Sequence, residues 1–218
     1  MTGNPIVRAL SNTLSFGAGS VLGSQLSLRY SAHTQPHPMP HQLAGLLDHP
    51  LRLRYRNPSE TLGLFGLAAG MTVLDLGCGT GLFTEEMARM VGPSGTVHAV
   101  DLQLPLLDEA RFRLLDVGFA DRCVLHHAGA YTLPIEGASV DVAVLVATLG
   151  EIPNKLHALL ELFRVIKPGG RLAVSEEILH LAYMGSGAVR SLAQEAGFSF
   201  AGKTGTPFCY HTVFTRPT

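Results

Sequence analysis

Three things are scarce in this sequence. Cysteine occurs only as Cys78, Cys123 and Cys209, an odd number at wide spacing with no Cys-x-x-Cys pair. That pattern argues against a disulfide framework and against a zinc site, and fits a reducing, cytoplasmic compartment. Charge is sparse too: charged residues make up 15% of the chain, with Lys+Arg 16 against Asp+Glu 17. No basic block or stripe stands out, so no nucleic-acid partner is expected. Long apolar runs are missing as well. The run Val142–Leu149 is far short of the roughly 20 residues a membrane span needs, and no transmembrane segment is expected.

Acids are absent from the first 47 residues, which contain no Asp, Glu or Lys and only two arginines, Arg8 and Arg29. Acid-poor, Ser-rich stretches occur in organellar transit peptides, but two arginines are few for one. A loosely ordered arm or a lid helix is the other reading, and residues 1–40 are expected to form a flexible N-terminal extension. Pro36, Pro38 and Pro40 rule out regular helix at the break that follows.

The chain has 218 residues, 46% of them hydrophobic, which is enough for one domain with a full core. That domain is expected over 41–218, as a helical cover (41–70) on an α/β core (71–218). Leucines at helical spacing predict a helix over His41–Leu53, and Asn57 with Pro58 marks the start of another. Beyond Met71, apolar strands at Thr72–Leu76, Thr96–Asp101, Cys123–His127, Val140–Ala147 and Arg171–Glu176 alternate with helical patterns. These lie at Leu82–Val91, Leu104–Val117 and Lys155–Ile166. Such alternation predicts a mostly parallel sheet between two helical layers, a Rossmann-like three-layer sandwich. After a helix near Gly187–Ala196, the runs FSFAGKT and PFCYHTVFT are joined too closely for a parallel crossover. They predict a C-terminal antiparallel hairpin.

The stretch VLDLGCGTG, Val73 to Gly81, ends a strand and opens a helix with three glycines. Glycines let the backbone turn tightly and let a ligand approach its amides and the helix N-terminus. A pyrophosphate site needs that helix end bare, yet Asp75 precedes the turn and Glu85 and Glu86 follow it. The spacing is also Asp-x-Gly-x-Gly-x-Gly rather than GxGxxG. Downstream, Asp101 ends the second strand, where a carboxylate can accept both hydroxyls of a ribose. A nucleoside without phosphates fits these residues.

In this order, VLDLGCGTG, VHAVDLQ, SVDVAVLVATLGEI and LFRVIKPGGRLAVSEE resemble the motifs of class I S-adenosylmethionine-dependent methyltransferases. Within that superfamily the chain is most similar to the type 11, ubiquinone/menaquinone-biosynthesis-like small-molecule group, over about residues 41–214. The resemblance implies S-adenosylmethionine as cofactor and methyl transfer to a small-molecule acceptor. It places Gly77, Gly79 and Gly81, with Cys78 and Thr80 in the same loop, around the methionine part of the cofactor. Asp75 would lie near the amino group, Asp101 on the ribose, Leu102 and Gln103 beside the adenine, and Ala147 and Thr148 beside the sulfonium. The family often carries a Gly-Asp-Ala signature after the third strand. Here the place reads Ala128-Gly129-Ala130, leaving adenine to backbone contacts at Ala130 and Tyr131.

Catalytic candidates are Glu151, Tyr131 and His211. Glu151 follows the fourth strand on the acceptor side, or else serves as a helix N-terminal carboxylate before Pro153. Tyr131 and His211 are base or orienting groups, or ordinary packing residues. Of Glu176 and Glu177, at least one is expected on a solvated rim. His126 and His127 point to opposite sheet faces, prolines interrupt the His33, His37, His41 spacing, and no metal is expected. The missing adenine acid and the lack of an obvious base keep open a non-catalytic S-adenosylmethionine-binding protein. The acceptor and the oligomeric state are not legible.

Overall fold

The computed structural model describes residues 23–24, 26–206 and 208–218. Of the expected extension, residues 1–22 and 25 lie outside these. Helix α1 takes in 26–34, and after the proline break a 3₁₀ turn occupies His41–Leu46. Two short helices complete the cover, α2 (Pro50–Tyr55) and α3 (Pro58–Gly63). The single helix expected over His41–Leu53 is therefore divided. His49 is extended, and its ring accepts from the Leu51 amide so that Pro50 starts a new helix. Asn57 caps α3 as expected, its side chain accepting from the Ser59 and Glu60 amides.

The core alternates β1 (Thr72–Leu76), α4 (Leu82–Val91), β2 (Thr96–Asp101), α5 (Leu104–Asp116), β3 (Cys123–His127) and β4 (Val140–Val146). It continues with α6 (Lys155–Val165), β5 (Ile166–Glu177), α7 (Ser186–Glu195), β6 (Ser199–Gly205) and β7 (Cys209–Thr215). One seven-stranded sheet results, in the order β3-β2-β1-β4-β5-β7-β6. β1 through β5 are parallel, while β7 pairs antiparallel with both β5 and β6, closing the expected hairpin. Apolar strand residues alternate between the two faces. Leu74, Leu145, Leu172 and Val174 pack with Leu159 of α6 and Val189 of α7, while Val73, Val97, Val142 and Ala173 pack with Met87 of α4.

The cover is fastened to the C-terminal end of β5 by charge. Arg56 is fully buried, its guanidinium donating to Ser175 Oγ at 2.8 Å and lying 3.6 Å from Glu177. Glu177 also accepts from Arg52 Nε at 2.9 Å and from the Tyr55 hydroxyl at 3.0 Å. Neither strand-end acid lies on a solvated rim, contrary to the sequence expectation: Glu176 and Glu177 are both buried. The sequence offers no periodic signal for this, because the cations that cover Glu177 come from the far side of the chain.

Candidate functional site

A parallel sheet with order 3-2-1-4-5 reverses direction between β1 and β4, and a crevice opens outside the carboxyl ends of those strands. A cavity of about 380 Å³ lies there. Its floor is Leu76 and Gly77 from β1 and its turn, Val100 and Asp101 from β2, and Val146 and Ala147 from β4. The cover closes over it with Pro38, Met39 and Leu47.

The turn after β1 is drawn toward β2 by the Gly77 and Cys78 amides, which both donate to the Val100 carbonyl. Gly77 sits at φ +78°, and a Cβ there would meet Thr148 Cγ2 at 2.4 Å. Two strand ends thus touch backbone to side chain, and only glycine permits it. Ala147 is itself left-handed, at φ 55°, a strained backbone for a non-glycine residue at the mouth of a cavity. Gly81 caps α4 in the left-handed region, where a Cβ would meet Ala110 Cβ of α5 at 2.9 Å.

Asp101 is the hinge of the loop. One oxygen accepts from the Gly79 amide at 2.9 Å and the other from the Gln103 amide at 2.8 Å. Burial raises its pKa above the ordinary carboxylate value, and those two amides pull it back. Each oxygen keeps capacity for a further hydrogen bond toward the cavity. Leu102 and Gln103 line the same wall, and the Gln103 side chain donates to the Met39 carbonyl at 2.9 Å, tying down the cover. A second tie joins Arg113 of α5 to Asp48 and to the Thr80 carbonyl, while Thr80 Oγ1 donates to Asp48.

Of the residues expected around a cofactor, Gly77, Gly79, Asp101, Leu102, Gln103, Gly129, Ala130, Ala147 and Thr148 line the cavity. Asp75, Cys78, Thr80 and Gly81 do not. Strand alternation turns Asp75 onto the α4 face, where it is buried and accepts from Thr84 Oγ1 at 2.6 Å. Burial pushes its carboxyl up to about 7. Cys78 packs against Ala99 and Leu107, and burial lifts its thiol well above the ordinary range, so it is no nucleophile.

The three catalytic candidates separate. Glu151 lines the cavity, at the end of a 3₁₀ turn, Leu149–Glu151. It does not cap the following helix, because α6 starts at Lys155 and Asn154 is its cap. Glu151 Oε1 instead lies 3.0 Å from Nε2 of His180, which also lines the cavity and which the sequence reading missed. Its only signal was a lone histidine in an irregular segment. Tyr131 also lines the cavity, but its hydroxyl accepts from the Asn154 amide at 2.8 Å and its ring stacks on His157. Tyr131 is thereby held in the cavity wall by Asn154 and His157.

His211 is corrected: it lies away from the cavity. β7 pairs it with Ser175, its Nδ1 is 2.9 Å from Ser175 Oγ, and Phe65 meets its ring edge-on. Burial, helped by Arg56, pushes its pKa down to about 4, so it is neutral and serves the cover network.

The charge of the cavity wall is one-sided. Asp101 and Glu151 line it, and no lysine or arginine does among the described residues. Such a wall disfavours a pyrophosphate and suits a cationic, phosphate-free ligand with an apolar body. Among the described residues no three metal-ligating side chains come together, and no helix is long and apolar enough to cross a membrane.

Comparison with known proteins agrees with this geometry. A methyltransferase domain family matches residues 67–196. The ubiquinone/menaquinone biosynthesis C-methyltransferase of Hahella chejuensis is 40% identical over 116 residues, 53% of this chain and 47% of the relative. Its counterpart in Saccharophagus degradans is 36% identical over the same share of each. The chain thus spans about half the length of the curated relatives it matches. A crystal structure of a SAM-dependent methyltransferase from Aquifex aeolicus superposes with a TM-score of 0.77 at 26% identity, covering 82% of this chain and 100% of that one.

Proposed function

The chain belongs to the methyltransferase domain family, and from that premise we propose that it transfers the methyl group of S-adenosylmethionine to a small, largely apolar acceptor. The observation that carries this reading is the cavity wall, with a ribose-competent carboxylate at Asp101, a second acid at Glu151 and, among the described residues, no lysine or arginine. The residues fit the cofactor. Gly77 and Gly79 leave room where side chains would intrude, and Asp101 has acceptor capacity in reserve. When bound, S-adenosylmethionine supplies an electrophilic methyl on a sulfonium whose leaving group is already good. The chain's own work is then to position donor and acceptor and to keep water out.

Gly77, Ala147 and Thr148 would hold the methionine end, Asp101 the ribose, and Leu102, Gln103, Gly129 and Ala130 the adenine side. Leu47, Leu106 and Ile152 give the acceptor an apolar bed, and Pro38 and Met39 cover it. Where the acceptor carries a proton, Glu151 is the base placed to take it. Three free cysteines and balanced charge support work in the cytoplasm on a small molecule rather than on nucleic acid.

The test is an extract incubated with the full chain and with donor carrying a trideuterated methyl, read by mass spectrometry. A metabolite that gains one methyl, with the isotope shift, is expected. Tight donor binding without any methylated product would support a non-catalytic binding protein instead.

A further inference from the structure

Between β5 and α7 the chain runs through an irregular strap, residues 178–185, which reaches the cavity at His180. The strap is anchored along its length. The Ile178 amide donates to the Phe208 carbonyl at 2.8 Å, and the His180 amide to the Glu177 carbonyl at 3.0 Å. The Tyr210 hydroxyl donates to the Met184 carbonyl at 2.6 Å. From outside, α1 adds Arg29, which donates to the Ile178 carbonyl, and His33, whose Nε2 lies 3.1 Å from the Tyr183 carbonyl.

The same strap leans on the turn that bears Glu151. A Cβ on Gly150 would meet the Ala182 carbonyl oxygen at 1.8 Å and its carbon at 2.8 Å. Those are backbone atoms, so only glycine at 150 permits the approach. The Glu151 amide donates to the Thr148 carbonyl at 3.0 Å, and Thr148 packs against Gly77. The Glu151 carboxylate therefore stands one turn beyond the residues that would hold the methionine end of the donor.

We propose that His180 is the positioning residue for Glu151, its ring holding the carboxylate in the orientation that takes a proton from the acceptor. The inference rests on the methyltransferase reading, which gives Glu151 that task.

The contact is direct. Glu151 Oε1 and His180 Nε2 lie 3.0 Å apart, on side chains only 18% and 14% exposed. An ionised carboxylate only accepts, so the proton of this bond belongs to Nε2, and the bond forms with a neutral or a charged ring alike. Among the described residues no other group hydrogen-bonds to this carboxylate, which leaves Oε2 for the acceptor. A base works only within hydrogen-bond reach of the proton it takes, and an untethered glutamate samples several rotamers. The step balances. The acceptor gains the methyl and gives one proton to Glu151, the electron pair of the broken carbon–sulfur bond stays on sulfur, and nothing is oxidised or reduced.

The experiment uses the full chain, the trideuterated donor at saturation and the extract, with the rate of labelled product read by mass spectrometry. His180→Ala should lower that rate about 10- to 100-fold, the scale of a group held out of place. His180→Gln, whose amide nitrogen can reach the place of Nε2, should recover most of it, and the shorter His180→Asn should not. Glu151→Gln should be slower still, and adding His180→Ala to it should change nothing further. Affinity for S-adenosylhomocysteine should stay within about threefold in the His180 variants, which a role confined to fastening the strap does not combine with rescue by Gln alone. In nitrogen-15 spectra of the unloaded chain, the His180 Nε2 resonance should move in Glu151→Gln. A Gln variant no faster than Asn, an additive loss in the double variant, a full rate in Glu151→Gln or an unmoved Nε2 resonance would overturn the proposal. Should His180→Ala fail to fold, the Gln and Asn variants decide. A wild type that binds no S-adenosylhomocysteine would refute the methyltransferase reading itself, an outcome distinct from all of these.

Discussion

Replacing Asp101 by alanine removes the acceptor on which both the loop and the ribose depend. The carboxylate now satisfies the Gly79 and Gln103 amides, at 2.9 and 2.8 Å. Its remaining lone pairs would accept the two ribose hydroxyls. Hydrogen bonds to a charged group contribute about 1.5–3 kcal/mol each, so losing two costs about 3–6 kcal/mol of cofactor binding. At about 1.4 kcal/mol per tenfold, that is a loss of roughly 10²–10⁴ in affinity. The stranded Gly79 amide adds about 1–3 kcal/mol of lost stability if no water reaches it. Asp101→Asn keeps the volume and one acceptor oxygen, and should fall between wild type and alanine. Calorimetry with S-adenosylhomocysteine measures affinity, and urea denaturation of each variant separates it from damage to the fold. A cooperatively folded Asp101→Ala protein that binds within about threefold of wild type would refute the ribose assignment.

Asp75→Asn tests the cost of the buried acid. The folded carboxyl keeps its proton to about pH 7, while the unfolded chain releases it near the ordinary value of about 4. Stability therefore drains away as pH rises between those values, and the variant should gain on the order of 4 kcal/mol at pH 8 and nothing at pH 4. Urea denaturation at both pH values checks the sign, and an equal difference at both would contradict it. Arg113→Ala should cost less than about 1 kcal/mol of stability, since its ion pair with Asp48 is partly exposed. By freeing the cover it should nonetheless speed S-adenosylhomocysteine release about fivefold in stopped flow, or about 1 kcal/mol. An unchanged release rate would mean the cover is held elsewhere.

The sheet was legible because its strands carry local signals. β1, β2 and β3 begin and end where their apolar runs do, and the close spacing of β6 and β7 required a hairpin. The cavity wall was legible for a related reason. Gly77, Gly79, Asp101, Ala147 and Thr148 lie at strand ends, where topology fixes what meets what. Side-chain direction was harder. Asp75 sits in the motif yet faces α4, and the alternation of a strand only five residues long settles that once its partners are known. The misses involve distant partners: Arg56 with Glu177 and Ser175, His211 with Ser175, and His180 with Glu151. These pairs come from segments far apart in the chain, and nothing periodic announces them.

The central claim is that this cavity holds a phosphate-free, cationic nucleoside. Calorimetric titration of the full chain with S-adenosylmethionine, and in parallel with NAD, tests it most directly. One S-adenosylmethionine per chain with saturable heat, and no heat from NAD, is the result this account requires. Absence of S-adenosylmethionine binding, or tighter binding of NAD, would contradict it.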